Sequence, residues 1–424
     1  MPIDSESGTP ATMTSDDRRG WVIVASLFTN LLLVFGAGFF TAGIFFSPLL
    51  KEFNWSRAQL SSVTAALQAT LGISAPLWGW ILDRIEARWL MASGAALVAI
   101  AFLAASRIES FTPLFICYVA VGLGLGASGL LPSSLVVANW FRRRRGIAMG
   151  IAMAGTSVGG SVMTMAAHWA IAHYGWRAGY VLLAAPMLLV AVPVILLKVQ
   201  THPPDRQPVS VTASRAALPG LEIGPALRTR SFWMVFIIQL CFGYFAVAIV
   251  VHMPPYLMGL GYGPGIAALS LSLVLVCSSV GKLVMGTIAD RTSGRVAVTI
   301  NFAITAIGFA MFLGARSPAI LAASIPIFGL AIGAPIALVP LLTAECLGLK
   351  RFGSIVGLTN IAYTIGAGLG PVLSGHIYDV THSYAEAFIV FALMALIGSG
   401  AASACFRLDE EQARFLKMAV PAES

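Results

Sequence analysis

Along the 424-residue chain, runs of about 20 mostly apolar residues alternate with short polar punctuation. A helix of that length crosses the hydrocarbon core of a bilayer, since each residue rises about 1.5 Å and the core is about 30 Å thick. Twelve such runs predict transmembrane helices: residues 20–44, 57–81, 89–107, 111–138, 145–171, 175–198, 231–258, 264–289, 295–315, 317–344, 352–378 and 384–406. The pattern predicts an all-α membrane protein. Residues 1–19 are polar and lack the basic start and short apolar stretch of a cleaved signal, so they read as a disordered tail. Residues 408–424 read as a second polar tail.

Composition agrees with this pattern. The chain is 58% hydrophobic and 10% charged, with mean hydropathy +0.86. A soluble domain carries about 25% charged residues, so this chain cannot build a surface that faces water all round. With both termini in the cytoplasm, 20 of the 26 basic residues fall on the inner side and five on the outer. That asymmetry is the positive-inside rule, and it accounts for the net charge of +8 without any nucleic-acid partner. The five cysteines lie within or at the ends of the predicted helices and form no CxxC pair. No disulfide framework, metal site or cofactor follows from them. No catalytic acid–base set, nucleophile triad or phosphate loop is present either, so an enzyme is not expected.

Sliding the chain along itself by 207 residues brings several features into coincidence. Gly79, Asp83 and Arg84 meet Gly286, Asp290 and Arg291; Gly122 and Gly126 meet Gly329 and Gly333; Gly146 and Gly150 meet Gly353 and Gly357. The common offset predicts a tandem repeat of two six-helix bundles, residues 20–198 and 231–407. The polar, Pro-rich residues 199–230 would link them in the cytoplasm. Two such halves about an axis along the membrane normal place a site near the midplane, between them.

The repeated loop GWILDRIEAR and GTIADRTSGR resembles the signature between the second and third helices of the major facilitator superfamily. The resemblance covers the whole chain and implies pseudo-symmetric bundles working by alternating access, with Asp83, Arg84, Asp290 and Arg291 as gating residues. Three further stretches are GWVIVASLFTNLLLVFGAGFFTAGIFFSPLLKEFNWSRAQLS, NWFRRRRGIAMGIAMAGTSVGG and GWRAGYVLLA. Together they resemble the monocarboxylate transporter family, including its bacterial oxalate/formate-exchanger relatives. That implies a small carboxylate substrate, a proton as coupled ion, a monomeric functional unit and residence in a cell membrane, here a bacterial inner membrane.

Within SSVGKLVMGTIADR, Lys282 has no acid in its helix until Asp290, at the end. A lysine at the centre of a span costs roughly 2.5–3.5 kcal/mol on insertion scales, which points to a function. In animal members of the resembled family, this helix carries an acid and, one turn later, an arginine that binds the carboxylate. Lys282 stands at the arginine position and Ser278 at the acid position; Thr41 stands where those members have a lysine. Lys282 is thus the expected anion anchor. A bound anion favours its ammonium form, so anion and proton binding would be linked. Further substrate-site candidates are Ser278, Thr41, Tyr118, Gln68, Asn360 and Tyr363, and His252 is a second candidate for proton coupling. The expected function is uptake of a monocarboxylate with a proton. The alternatives are an oxalate/formate-type exchanger, an exporter of hydrophobic compounds and, outside transport, a sensor of transporter fold.

Overall fold

The computed structural model describes residues 15–141, 144–203 and 220–411. Residues 1–14, Arg142 and Arg143, the centre of the expected linker (204–219) and residues 412–424 lie outside the described residues. Among the described residues there is no strand, and Gly220 and Gly348 form one isolated antiparallel bridge. Eleven helical segments among the described residues are long and apolar enough to cross a membrane. They are Arg18–Phe40 (α1), Gln59–Leu82 (α2), Ala87–Ala105 (α3), Phe111–Trp140 (α4) and Arg145–Lys198. Then come Arg230–Gly259 (α7), Gly265–Arg291 (α8), Gly294–Leu313 (α9), Pro318–Leu347 (α10), Phe352–Thr381 (α11) and Ala385–Ser403 (α12). The fifth segment has 54 residues, about 80 Å if straight and more than twice the hydrocarbon thickness. It turns at Gly175, whose φ of 84° and ψ of 168° suit glycine alone. It is therefore two spans, 145–174 (α5) and 176–198 (α6), and the total is the expected twelve.

Local chemistry sets several helix ends. Ser56 and Gln59 form a reciprocal capping box that starts α2. The first helix begins at Ser15, inside the expected tail. Its ladder loosens to a π turn at Leu31–Phe35 and resumes at Gly36, whose backbone lies against Gly159 of α5 with no room for a side chain. The buried Glu411, in the expected C-terminal tail, accepts the Ser231 amide and hydroxyl and so caps the start of α7. Apolar packing forms two cores. One is built from α1–α6 and takes in Ala337, Ala344, Phe352 and Val356; the other is built from α7–α12. Large apolar side chains such as Ile73, Leu189 and Leu197 point outward, as expected of surface that meets lipid.

The halves meet along two seams related by the repeat. At one, Gly79 and Ala75 of α2 touch Gly353 and Gly357 of α11; at the other, Gly146 and Gly150 of α5 touch Gly286 and Lys282 of α8. Missing side chains let the backbones approach closely. Each seam ends in the same polar contact. Asp83, at the end of α2, accepts the Gly353 amide at 3.3 Å, the Ser354 amide at 3.1 Å and the Ser354 hydroxyl at 2.5 Å. Asp290, at the end of α8, accepts the amides of Gly146 at 2.5 Å and Ile147 at 2.8 Å. Both carboxylates thus sit at the N-terminus of a helix from the other half, where unpaired N–H groups and the helix dipole favour negative charge.

Arg84 does not cross the seam. It lies over the Trp80 ring at 3.6 Å and donates to the Trp80 carbonyl, one turn back in its own helix. The guanidinium near Asp83 belongs to Arg351 of the other half, whose charged form is favoured first by its hydrogen bond to Glu222, then by the charges of Glu222 and Asp83. Arg291 is exposed.

Exposure along these seams changes steadily. On α2, Gly79, Ala75 and Gly72 are buried, Gln68 is half-buried, and Ala65 and Ser61 are exposed. On α11, Gly353 and Gly357 are buried, Asn360 and Thr364 half-buried, and Gly368 exposed. The series Gly146, Gly150, Met153, Ser157, Ser161 on α5 and Gly286, Lys282, Ser279, Leu275 on α8 run the same way. Each series keeps to one helix face by its spacing. The halves are therefore pressed together at the end where α1 begins and part toward the opposite end, leaving a cleft.

The linker is anchored at both described ends. Thr201 accepts the Ala87 amide and the Asn139 side chain, and Gln200 accepts the Trp140 indole. At the second described end, the Leu221 amide donates to Leu347, and Glu222 pairs with Lys350 at 3.2 Å and Arg351 at 2.8 Å. The hydrogen bond from Arg351 is the largest influence on the Glu222 carboxyl; with a lesser one from Lys350 it holds the group below the usual carboxylate range against the opposing effect of burial.

Two predictions follow from these contacts. Asp83→Asn combined with Asp290→Asn removes both charges from the facing helix N-termini, and a hydrogen bond to a charged group is worth roughly 1.5–3 kcal/mol. Spin labels at Ile85 and Thr292 should then report a longer and broader distance than in the parent; an unchanged distribution would mean the carboxylates do not hold this end shut. A protease site inserted between residues 204 and 219 should be cut without separating the halves on a sizing column. Dissociation on cleavage would show that the linker itself holds them.

Candidate functional site

Lys282 is 1% exposed and projects from α8 toward α5 of the other half. Its position follows from small residues on both neighbours. Gly150 has no Cβ, so α5 lies against the Lys282 backbone; Gly333 of α10 has none either, so the lysine stem and Ser278 fill that space. The amine then reaches the next turn of α5. It donates to the Met153 carbonyl at 3.3 Å, the Thr156 hydroxyl at 3.0 Å and the Ser157 hydroxyl at 2.6 Å. An ammonium has three N–H bonds and no acceptor capacity, so these three oxygens satisfy it fully. All three are neutral and all three come from the other half. Thr156 is buried, whereas Ser157 is half-buried.

The other expected site residues are spread over five places. Ser278 shares the Gly333 space with Lys282. Gln68 is half-buried on the α2 face that turns toward the cleft. Asn360 and Tyr363 lie where α11 meets α7: the Asn360 side-chain oxygen accepts from Gln239 at 3.0 Å, and the Tyr363 ring is 5.4 Å from that of Phe242. Thr41 and Tyr118 are engaged inside the first half. The Thr41 hydroxyl donates to Ala37 at 2.6 Å, and the Tyr118 hydroxyl pairs with that of Tyr180 at 3.1 Å. His252 is held away from Lys282, among α7, α11 and α12. Its Nε2–H donates to the Pro371 carbonyl at 2.9 Å, and its Nδ1 lies 3.4 Å from the Tyr384 hydroxyl. Among the described residues no three His, Cys, Asp or Glu side chains stand close enough to hold a metal ion.

Met153, Thr156 and Ser157 escaped the sequence reading, although a signal for them existed. Moved by the repeat offset of 207, they fall on Asn360, Tyr363 and Thr364. The α11 positions flagged for their polar and aromatic side chains mirror the α5 positions that hold the lysine. The counterpart of Lys282 itself is Ala75, so the cation makes one seam chemically unlike the other.

Chemically, this is a buried amine at the floor of a cleft, caged by three neutral oxygens of the other half. The sequence profile of the Major Facilitator Superfamily matches residues 28–371 and 264–421. Monocarboxylate transporter 13 of Bos taurus is 29% identical over 394 residues, covering 91% of this chain and 89% of its own. Monocarboxylate transporter 2 of Mus musculus is 24% identical over 420 residues, covering 94% and 86%. Among solved structures, the transporter FucP in its outward conformation matches with a TM-score of 0.70 at 17% identity, over 90% of this chain and 98% of that one. The human organic anion transporter MFSD10 matches with a TM-score of 0.68 at 15% identity, over 92% and 100%. The helix count, the paired seams and these matches agree: the chain belongs to the Major Facilitator Superfamily, whose members are multi-pass membrane transporters and not enzymes.

Proposed function

We propose that this transporter carries a small organic anion, a monocarboxylate, together with a proton and by alternating access. The observation that carries the reading is the Lys282 ammonium, buried at the floor of the cleft with neutral partners. A carboxylate that reaches it sets a full negative charge against the ammonium, which the three neutral oxygens do not supply. Lysine offers a point charge in place of the planar fork of arginine, so selectivity falls to cleft shape and nearby hydroxyls. One cation at this depth suits one carboxylate; a second carboxylate on the same substrate would meet no mid-span lysine or arginine. The mammalian relatives named as monocarboxylate transporters support the same substrate class. With the termini in the cytoplasm, as the basic-residue asymmetry indicates, the cleft faces outward. A monomeric unit and a bacterial inner membrane complete the proposal.

Purified protein in proteoliposomes, offered labelled lactate, pyruvate, formate and oxalate, tests the reading. Lys282→Ala should reduce uptake of the preferred monocarboxylate at least thirtyfold, the lower end expected for losing one partner of a buried charge pair (about 2–5 kcal/mol). Folding should persist, because the glycine contacts of the seam remain. Lys282→Arg should keep part of the uptake with altered selectivity. Wild-type uptake by Lys282→Ala would end the proposal.

An inward proton gradient should drive accumulation of the same anion above its equilibrium level. Accumulation that ignores the gradient would remove the proton and leave exchange or facilitated transport.

A further inference from the structure

The cage around Lys282 has a consequence for the empty carrier. For the closed end to open, α5 and α8 must separate where Lys282 meets Met153, Thr156 and Ser157. We propose that Thr156 and Ser157 are positioning residues: they hold the Lys282 ammonium across the seam when no substrate is bound, so that capturing the anion and releasing the contact between halves are one event. The inference rests on the anion reading of Lys282.

Three observations support it. The amine is 1% exposed, so an anion in the cleft cannot pair with it until the cage yields. The half-buried Ser157 provides the shortest of the three contacts and is the cage member closest to solvent. The mirror seam has no such hold. Ala75 stands at the lysine position there, and the counterpart of Ser157, Thr364, lies against Gly72 with its hydroxyl bonded to Asn360. Parting of the α5–α8 seam therefore depends on what occupies the lysine.

The physical chemistry gives a direction. Pulling the helices apart with no anion present either strips a buried ammonium of its three acceptors, which is strongly disfavoured, or first requires Lys282 to give up its proton, the step that couples net transport to the proton. With a carboxylate bound, the charge is already neutralised and hydrogen-bonded, so the loaded carrier crosses faster than the empty one. Exchange across the membrane should then outrun net efflux, by a margin that Thr156 and Ser157 set.

The test combines two measurements on the full-length Thr156→Val/Ser157→Ala variant. The first is reductive methylation of the purified protein with labelled formaldehyde and a borane reductant, read by peptide mass spectrometry with the exposed Lys51 as internal reference. No anion transport is involved. Methylation of Lys282 relative to Lys51 should rise about tenfold over the parent, the factor expected for losing a hydrogen bond to a charged group. The second is the ratio of lactate exchange to net lactate efflux in proteoliposomes, which should fall toward one. Thr156→Ser/Ser157→Thr keeps both hydroxyls and should return both readouts toward parental values. Parental methylation or a parental flux ratio in the Val/Ala variant overturns the inference, as does failure of the hydroxyl-retaining variant to recover. These outcomes differ from failure of the anion reading, in which Lys282→Ala transports normally whatever the methylation shows.

Discussion

A charged amine inside a membrane span has to find its hydrogen bonds within the protein, and much of this structure can be understood from how Lys282 does so. Its own half supplies shape: Gly333 and Ser278 leave a channel for the stem. The acceptors come from the opposite half, through the Met153 carbonyl and the hydroxyls of Thr156 and Ser157. A group satisfied only across an interface ties its own desolvation to the state of that interface. Separation leaves it bare, and a substitute ligand frees the interface.

The closed end uses the same logic with opposite charge. Asp83 and Asp290 each stand at the C-terminal end of their own helix, where the dipole disfavours an anion, and each accepts from the N-terminus of a helix in the other half. The contact is favourable while the halves are together and is lost when they part. Glu222 adds a further tie by fastening the second end of the linker to Lys350 and Arg351, beside the start of α11. The second end of the linker and the Asp83 contact thus converge on one short segment, residues 347–354.

The repeat gives the two seams the same glycines and the same aspartates, and then breaks the likeness at one position. Lys282 faces α5, while Ala75 occupies the matching place against α11. Duplication explains why the halves close as a pair. The single lysine makes the α5–α8 seam chemically unlike the α2–α11 seam.

How much of this was legible in the chain depends on how unusual each signal is in an apolar background. Asp83, Asp290 and Lys282 stood out because charges are rare in such segments and two of them recur at a common offset. Hydroxyl residues carry no comparable signal. Serine and threonine in these helices commonly bond back to their own backbone, as Thr41 does to Ala37 and Ser133 to Gly129, so only the repeat offset, which pairs Thr156 and Ser157 with Tyr363 and Thr364, set these two apart. The Met153 carbonyl has no side-chain signature at all. Arg84 was placed in the gate by its motif, yet cation–π packing on Trp80 keeps it in its own helix; Tyr118 found Tyr180 within the first half. The sequence by itself determined the twelve spans, the two halves and the residues whose charge must be compensated, because hydrophobic length and charge cost act locally along the chain. The tertiary structure alone decided which partners compensate those charges, since that depends on which helix faces come together across the seams.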